Sequence, residues 1–167
     1  DVYTMYEAYH RANRIVDELT KDVSLEISDS EARVIQVQEI AVSEESKAQE
    51  LYDQLTNSGA DFAATARKES ENPDIEISVG LGEREASYEE PVFVLESGQI
   101  TEPFSYQGKW YLVKCVNDFD EEATLERKNK LALERKNQAF HSIYDSFAAE
   151  HPVEIQGSIW NKVSLSD

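Results

Sequence analysis

Positive charge, cysteine and long apolar runs are all scarce in this chain, and each shortage removes a class of protein. Lys and Arg number 16 against 34 Asp and Glu, a net charge of −18. Nucleic-acid phosphates must be neutralised by cations, so a nucleic-acid partner is excluded. Acidity of this degree keeps a protein soluble, and it also steers encounters with basic or unfolded polypeptides; charge alone leaves both readings open. No apolar run is long enough to span a membrane. Cys115 is the single cysteine, which rules out a disulfide framework and a cysteine-rich zinc site. It lies between apolar neighbours in a strand-like run, so a buried, inert thiol is expected. One cysteine leaves the compartment open. The chain also lacks a signal peptide and begins inside a helical pattern, so a longer precursor is expected.

The remaining residues fall into clear periodic segments. Val2, Met5, Tyr6, Tyr9, Ala12, Ile15, Val16 and Leu19 recur at helical spacing over residues 1–20. Leu25, Ile27 and Ser28-Asp29-Ser30 read as an extended connector. β-branched residues dominate Val34 to Val42 and predict a strand. A helix is predicted from an N-cap at Ser43, through Ala48, Leu51, Tyr52 and Leu55, to the stop at Asn57-Ser58-Gly59. A second starts near Asp61 and carries Arg67 and Lys68 in its last turn. Ile75, Ile77 and Val79 alternate as a strand into Gly80-Leu81-Gly82. A short helix over Tyr88 to Leu95 follows, then strands Ile100 to Phe104 and Lys109 to Val116 around a tight turn at Gln107-Gly108. A long charged helix runs from about 118–122 to Ala149 and is stopped by His151-Pro152. Val153, Ile155, Ile159 and Val163 predict a terminal strand. This order of strands and helices specifies an α+β layer between residues 33 and 117.

Specific strings now bring a family into view. Asn57-Ser58-Gly59-Ala60-Asp61-Phe62 resembles the G-x-D-F helix start of the parvulins, and Ser70-Glu71-Asn72-Pro73 their S-x-D-P turn, with Asn72 replacing the acid. Leu81-Gly82 is similar to the end of their G-D-L-G. The run from Tyr88 to Pro103 resembles their long F-E-x-A-x-F-x-L-x-x-G-x-I-S-x-P block, and Tyr111-Leu112-Val113-Lys114 their closing H-I-I-K strand. The resemblance covers about half the chain. It implies a parvulin-like four-stranded antiparallel sheet with surrounding helices over residues 31–118. That module would be flanked by parts of a chaperone-like domain: an N-terminal helix and connector over 1–30, and a long helix with terminal strand over 119–167. This placement is similar to that in foldase lipoproteins and periplasmic chaperones. It implies unfolded or newly secreted polypeptide clients, an extracytoplasmic location, membrane anchoring through a missing N-terminal segment, and room for a homodimer.

Prolyl isomerisation has to overcome roughly 18–20 kcal/mol of lost amide resonance as the peptide twists. Differential binding of the twisted amide suffices, so no cofactor or metal is implied. Parvulins provide an apolar slot for the proline ring and a pair of imidazoles around the amide. Carried over by position, the first imidazole becomes Glu39 and the second Tyr111. The acid of G-D-L-G becomes Gly80, the slot methionine Arg84, and the first slot phenylalanine Tyr88; Phe93 is retained. His10, His141 and His151 all lie outside the module. Glu39 and Arg84 either pair across the old site or both face solvent. Tyr88 faces the groove or the core, and Tyr106, Trp110 and Phe104 either extend the aromatic surface or simply pack. Three functions follow: a polypeptide-binding folding factor whose isomerase activity is weak or lost, an active isomerase working by desolvation, and a non-catalytic scaffold or dimerisation module.

Overall fold

The computed structural model describes residues 2–150, so the terminal strand expected over Val153 to Val163 and the stop at His151-Pro152 lie outside the described residues. In chain order the elements are helix α1 (Val2–Thr20), short helix α2 (Asp29–Ala32), strand β1 (Val34–Val42), helices α3 (Glu45–Asn57) and α4 (Phe62–Glu69), strand β2 (Glu76–Gly80), helix α5 (Ala86–Val92), strands β3 (Phe104–Tyr106) and β4 (Lys109–Asn117), and helix α6 (Glu121–Glu150). The chain divides into two compact units, one of Ile27–Leu131 and one of Asp1–Glu26 with Ala132–Asp167.

The larger unit is an α+β layer around a four-stranded antiparallel sheet in the order β2-β1-β4-β3. Strand β1 lies between two neighbours and buries both of its faces. Ile40 and Val42, with Leu112 of β4, pack against Ala48, Leu51 and Leu55 of α3 and Phe62 and Ala66 of α4. Ile35, Val37 and Ala41 point the other way, into a second core with Val79, Tyr88, Val92, Tyr106, Tyr111 and Val113. A strand alternates its side chains between faces, so this near-continuous apolar run is the signature of a two-sided strand. Opposite the Gln36/Val37 step a bulge skips Val116 of β4, and Val116 is exposed. Cys115 is buried, and burial pushes its thiol pKa up, with the Asp118 charge adding to the effect.

Several boundaries differ from the expected ones for local reasons. Ser43 does not cap α3: its hydroxyl and its N–H both donate to the Glu71 carboxylate at 2.8 Å, and Glu44 takes the cap position. A charged acceptor binds these donors more strongly than a helix end would. The connector contains α2, because the Ser28 hydroxyl accepts from the Glu31 N–H at 3.1 Å. Helix α5 starts at Ala86 and closes at Val92, where the Leu95 N–H turns back onto the Val92 carbonyl at 3.2 Å. Ile100 makes only an isolated bridge to Lys114, and β3 proper begins after Pro103, which has no N–H to give a ladder. Gln107 and Gly108, with φ of 48° and 78°, make the two-residue hairpin turn into β4.

The second unit pairs α1 with the latter part of α6. Arg135 donates to the Glu26 carbonyl at 2.6 Å, and Lys136 pairs with Asp17. Between the helices runs an apolar groove of about 580 Å³ whose walls include Ile15, Leu19, Phe140, Ile143 and Tyr144.

Helix α4 depends on the Asp61 carboxylate, which accepts the Ala64 N–H at 2.7 Å. Asp61→Ala is expected to cost the larger unit about 1 kcal/mol of stability. A urea titration followed through the amide resonances of β1 and α4 measures it; an unchanged midpoint would show the cap to be redundant.

Candidate functional site

The site grows from the face of β1 that carries Ile35, Val37 and Ala41. Glu39 falls on that face by strand alternation and is 3% exposed. A carboxylate there must find donors. Helix α5 lays the fully buried Tyr88 over the same face, and the Tyr88 hydroxyl donates to Glu39 Oε1. Arg84 donates to the same oxygen from Nη1 at 3.0 Å. Its guanidinium carbon stands 4.3 Å from the centroid of the Tyr88 ring, a cation–π contact. The loop that delivers Arg84 is held by Glu89, whose Oε1 accepts the Gly82 N–H at 2.8 Å and the Arg84 N–H at 2.9 Å. Of the two arrangements open from sequence, Glu39 and Arg84 therefore pair across the face.

Burial raises the Glu39 carboxyl above its ordinary value of 4.5; the Tyr88 hydrogen bond and the Arg84 charge oppose that without cancelling it. Burial likewise pushes the Tyr88 phenol upward, and the Glu39 charge adds to the push. The phenol is thus a fixed donor at neutral pH.

Tyr111 joins this face from β4, with Ala41 its partner across the ladder. Phe104 stacks on it at 6.0 Å, and Tyr106 meets it edge-on at 5.5 Å. Tyr88 approaches Tyr106 at 5.1 Å and Tyr111 at 6.4 Å, so four rings form one aromatic wall. Trp110 alternates to the opposite face and packs in the helix-covered core. The Tyr111 hydroxyl accepts from Asn72 Nδ2 at 3.2 Å, Asn72 Oδ1 accepts from Lys109 Nζ at 3.1 Å, and Lys109 pairs with Glu71 at 3.3 Å. Asn72 was not among the candidate site residues. The available signal was its place in the S-x-D-P turn, where it stands for an acid.

Gly80 is not brought together with Glu39. Gly80 sits opposite Val34, five residues along β1 from Glu39 and so roughly 17 Å away along the strand. A Cβ at Gly80 would lie 2.4 Å from Nε at the outer end of the Arg127 side chain, which would have to shift to admit it. Phe93 caps α5 and packs against the core that holds Tyr88 and Tyr111, with the Arg33 guanidinium over its ring at 5.7 Å from the centroid.

Among known proteins, residues 32–117 match the Rotamase family, described as the PPIC-type PPIASE domain. The foldase protein PrsA 4 of Bacillus cereus is 31% identical over 119 residues, which cover 68% of this chain and 42% of that protein. The foldase protein PrsA of Caldanaerobacter subterraneus is 27% identical over 168 residues, 87% of this chain and 53% of that one. The chain thus spans about half the length of the curated relatives it matches. The crystal structure of a peptidylprolyl isomerase, PrsA, from Bacillus cereus aligns with a TM-score of 0.53 at 26% identity, over 77% of this chain and 54% of the other.

The electrostatics of Glu39 set a measurable pH dependence. Its folded-state pKa lies above 4.5, so between 4.5 and the raised value the folded state holds more proton than the unfolded state. Stability therefore falls as pH rises through that window and is flat above it. The stability of Glu39→Gln relative to wild type is expected to improve across the same window and then hold constant. Carboxyl-carbon NMR of Glu39 measures the midpoint directly, and a value below 4.5 would contradict dominance by burial.

Proposed function

The chain belongs to the Rotamase family of PPIC-type peptidyl-prolyl isomerase domains, which covers residues 32–117 of its 167, and from that membership we propose a folding factor that binds unfolded or proline-containing polypeptide on the face of Glu39, Arg84, Tyr88 and Tyr111 with weak or lost isomerase activity. The observation that carries the reading is the Glu39–Arg84–Tyr88 network. A twisting amide needs an apolar slot and uncommitted polar groups near it. Here the ring at the slot is covered by a guanidinium, and the group at the first imidazole position is a carboxylate already bound to two donors. Opening the slot requires separating a partly buried ion pair, which charges every productive complex with that separation.

Residues 1–30 and 119–167 take the chaperone-like role in this reading. The apolar groove between α1 and α6 supports it, because a wide, dry surface suits apolar stretches of non-native clients. The named relatives are foldases, which supports polypeptide clients and a location outside the cytoplasm. No helix among the described residues is long and apolar enough to cross a membrane; anchoring through a further segment, and pairing of two copies, belong to the same reading and rest on the resemblance.

One observation favours full isomerase activity instead. Tyr111 keeps a polar head on an aromatic wall, oriented by Asn72 and Lys109, and desolvation against such a wall can favour the twisted amide. A protease-coupled assay with Xaa-Pro peptides separates the two. Acceleration is expected to be at least about a hundredfold below that of an ordinary parvulin, the usual consequence of losing a preorganised polar group, while aggregation of an unfolded client is still suppressed. Parvulin-like rates that drop on Tyr111→Phe would establish the active enzyme.

A further inference from the structure

We propose that Glu39 and Tyr88 form a subsite for a basic side chain, Lys or Arg, flanking the proline of a bound polypeptide, and that Arg84 is its internal occupant in the free protein. This rests on the polypeptide-binding reading above and names the class of segment that the site selects.

Three observations converge on it. Both protein donors to Glu39, the Tyr88 hydroxyl and Arg84 Nη1, converge on Oε1. Oε2 has no hydrogen-bond partner among the described residues and is not sealed from solvent. A guanidinium binds a carboxylate best through two parallel N–H donors, so this carboxylate is half used. Secondly, the recognition geometry for a cation is already assembled: an aromatic face at 4.3 Å and a carboxylate at 3.0 Å, occupied by a side chain that is itself 28% exposed. The position Arg84 holds is therefore reachable from outside. Thirdly, from Leu81 to Gly108 the chain carries one cation, Arg84, against Glu83, Glu85, Glu89, Glu90, Glu96 and Glu102. The segment that builds α5 and runs into the β3–β4 hairpin is therefore net negative and draws basic segments towards the site.

The exchange logic gives the selectivity. When a peptide displaces Arg84, Glu39 loses its cation while still buried. An incoming Lys or Arg replaces that cation, and Arg84 swings to water, so charge pairing is conserved. An incoming apolar side chain leaves the carboxylate unpaired, and an incoming acid adds like-charge repulsion.

The test uses three labelled peptides that differ only before proline, Ala-Arg-Pro-Phe, Ala-Leu-Pro-Phe and Ala-Glu-Pro-Phe, with binding to the whole chain measured by fluorescence anisotropy. In the wild type the Arg-Pro peptide is expected to bind about tenfold tighter than Leu-Pro, the equivalent of one charge-assisted hydrogen bond, with Glu-Pro weakest. Arg84→Met removes the competitor and should widen that ratio, whereas Glu39→Gln should bring it close to one. The double variant leaves no charge unpaired, so it should fold, bind Leu-Pro at least as well as wild type, and show no preference for Arg-Pro. Equal binding of all three peptides by the wild type would overturn the subsite while leaving polypeptide binding in place. A preference that survives Glu39→Gln would assign it to the surface carboxylates and likewise overturn it. Failure of every peptide to bind would defeat the polypeptide-binding reading itself, and the subsite with it.

Discussion

A carboxylate withdrawn from water is among the least forgiving groups a protein can hold, and the face of the sheet under α5 is organised around the one on Glu39. Its same-face neighbours on β1, Val37 and Ala41, are apolar, its ladder partner is Val113, and its donors come from the loop and helix between β2 and β3. Removing Arg84 would strand charge in an apolar setting and removing the Tyr88 hydroxyl would leave the carboxylate a single donor, so both are constrained: one by its charge, the other by a hydroxyl that a phenylalanine would not supply. The cation–π contact then ties the two donors to each other. A polar triad of this kind fixes the α5 helix over the sheet in one position, because sliding it would break both the Tyr88 hydrogen bond and the cation–π contact.

That arrangement is available only because β1 buries both faces. The face towards α3 and α4 carries the apolar cluster of Ile40, Val42 and Leu112 and supplies cohesion to the unit. The opposite face can then accept a charged group and a ring of hydroxyl-bearing aromatics without losing its core. Division of labour between the two faces lets the candidate site carry polar groups while strand register and helix placement stay those of the family fold. The family match and the alignment to a solved foldase at a TM-score of 0.53 reflect that persistence.

Strands β1, β2 and β4 and helix α4 were legible in sequence because their signals are local: β-branched runs, Asp61 before Phe62, Gln107-Gly108 before the last strand. Most boundaries that moved did so through neighbours a few residues away, but the cap of α3 depended on a partner 28 residues along the chain. Ser43 carries a good capping side chain, but Glu71, brought alongside by the fold, takes its hydrogens. At the candidate site, motif positions pointed to Glu39 and Tyr111 on one face, while Tyr88 stayed open between groove and core. Whether Glu39 turns to Arg84 or to water could not be read, since it depends on where the loop from Gly82 sets down its side chain, and that is decided by the Glu89 carboxylate. Gly80 illustrates the opposite case: its position in a motif pointed to lost chemistry, while the strand register sets it opposite Val34, well along β1 from Glu39. Asn72 reached the site through a turn whose spatial neighbour, Tyr111, is 39 residues away in sequence.

The sealed position of Cys115 carries a consequence for how this chain experiences its surroundings. With its one thiol inside the sheet and held protonated by burial, the folded unit offers nothing for oxidants, glutathione or a second copy to couple with. Its folding needs no oxidase or disulfide shuffling, and its architecture is indifferent to whether the surrounding medium is reducing or oxidising. Only when β4 detaches does sulfur chemistry begin, which makes alkylation of that residue an intrinsic clock for unfolding.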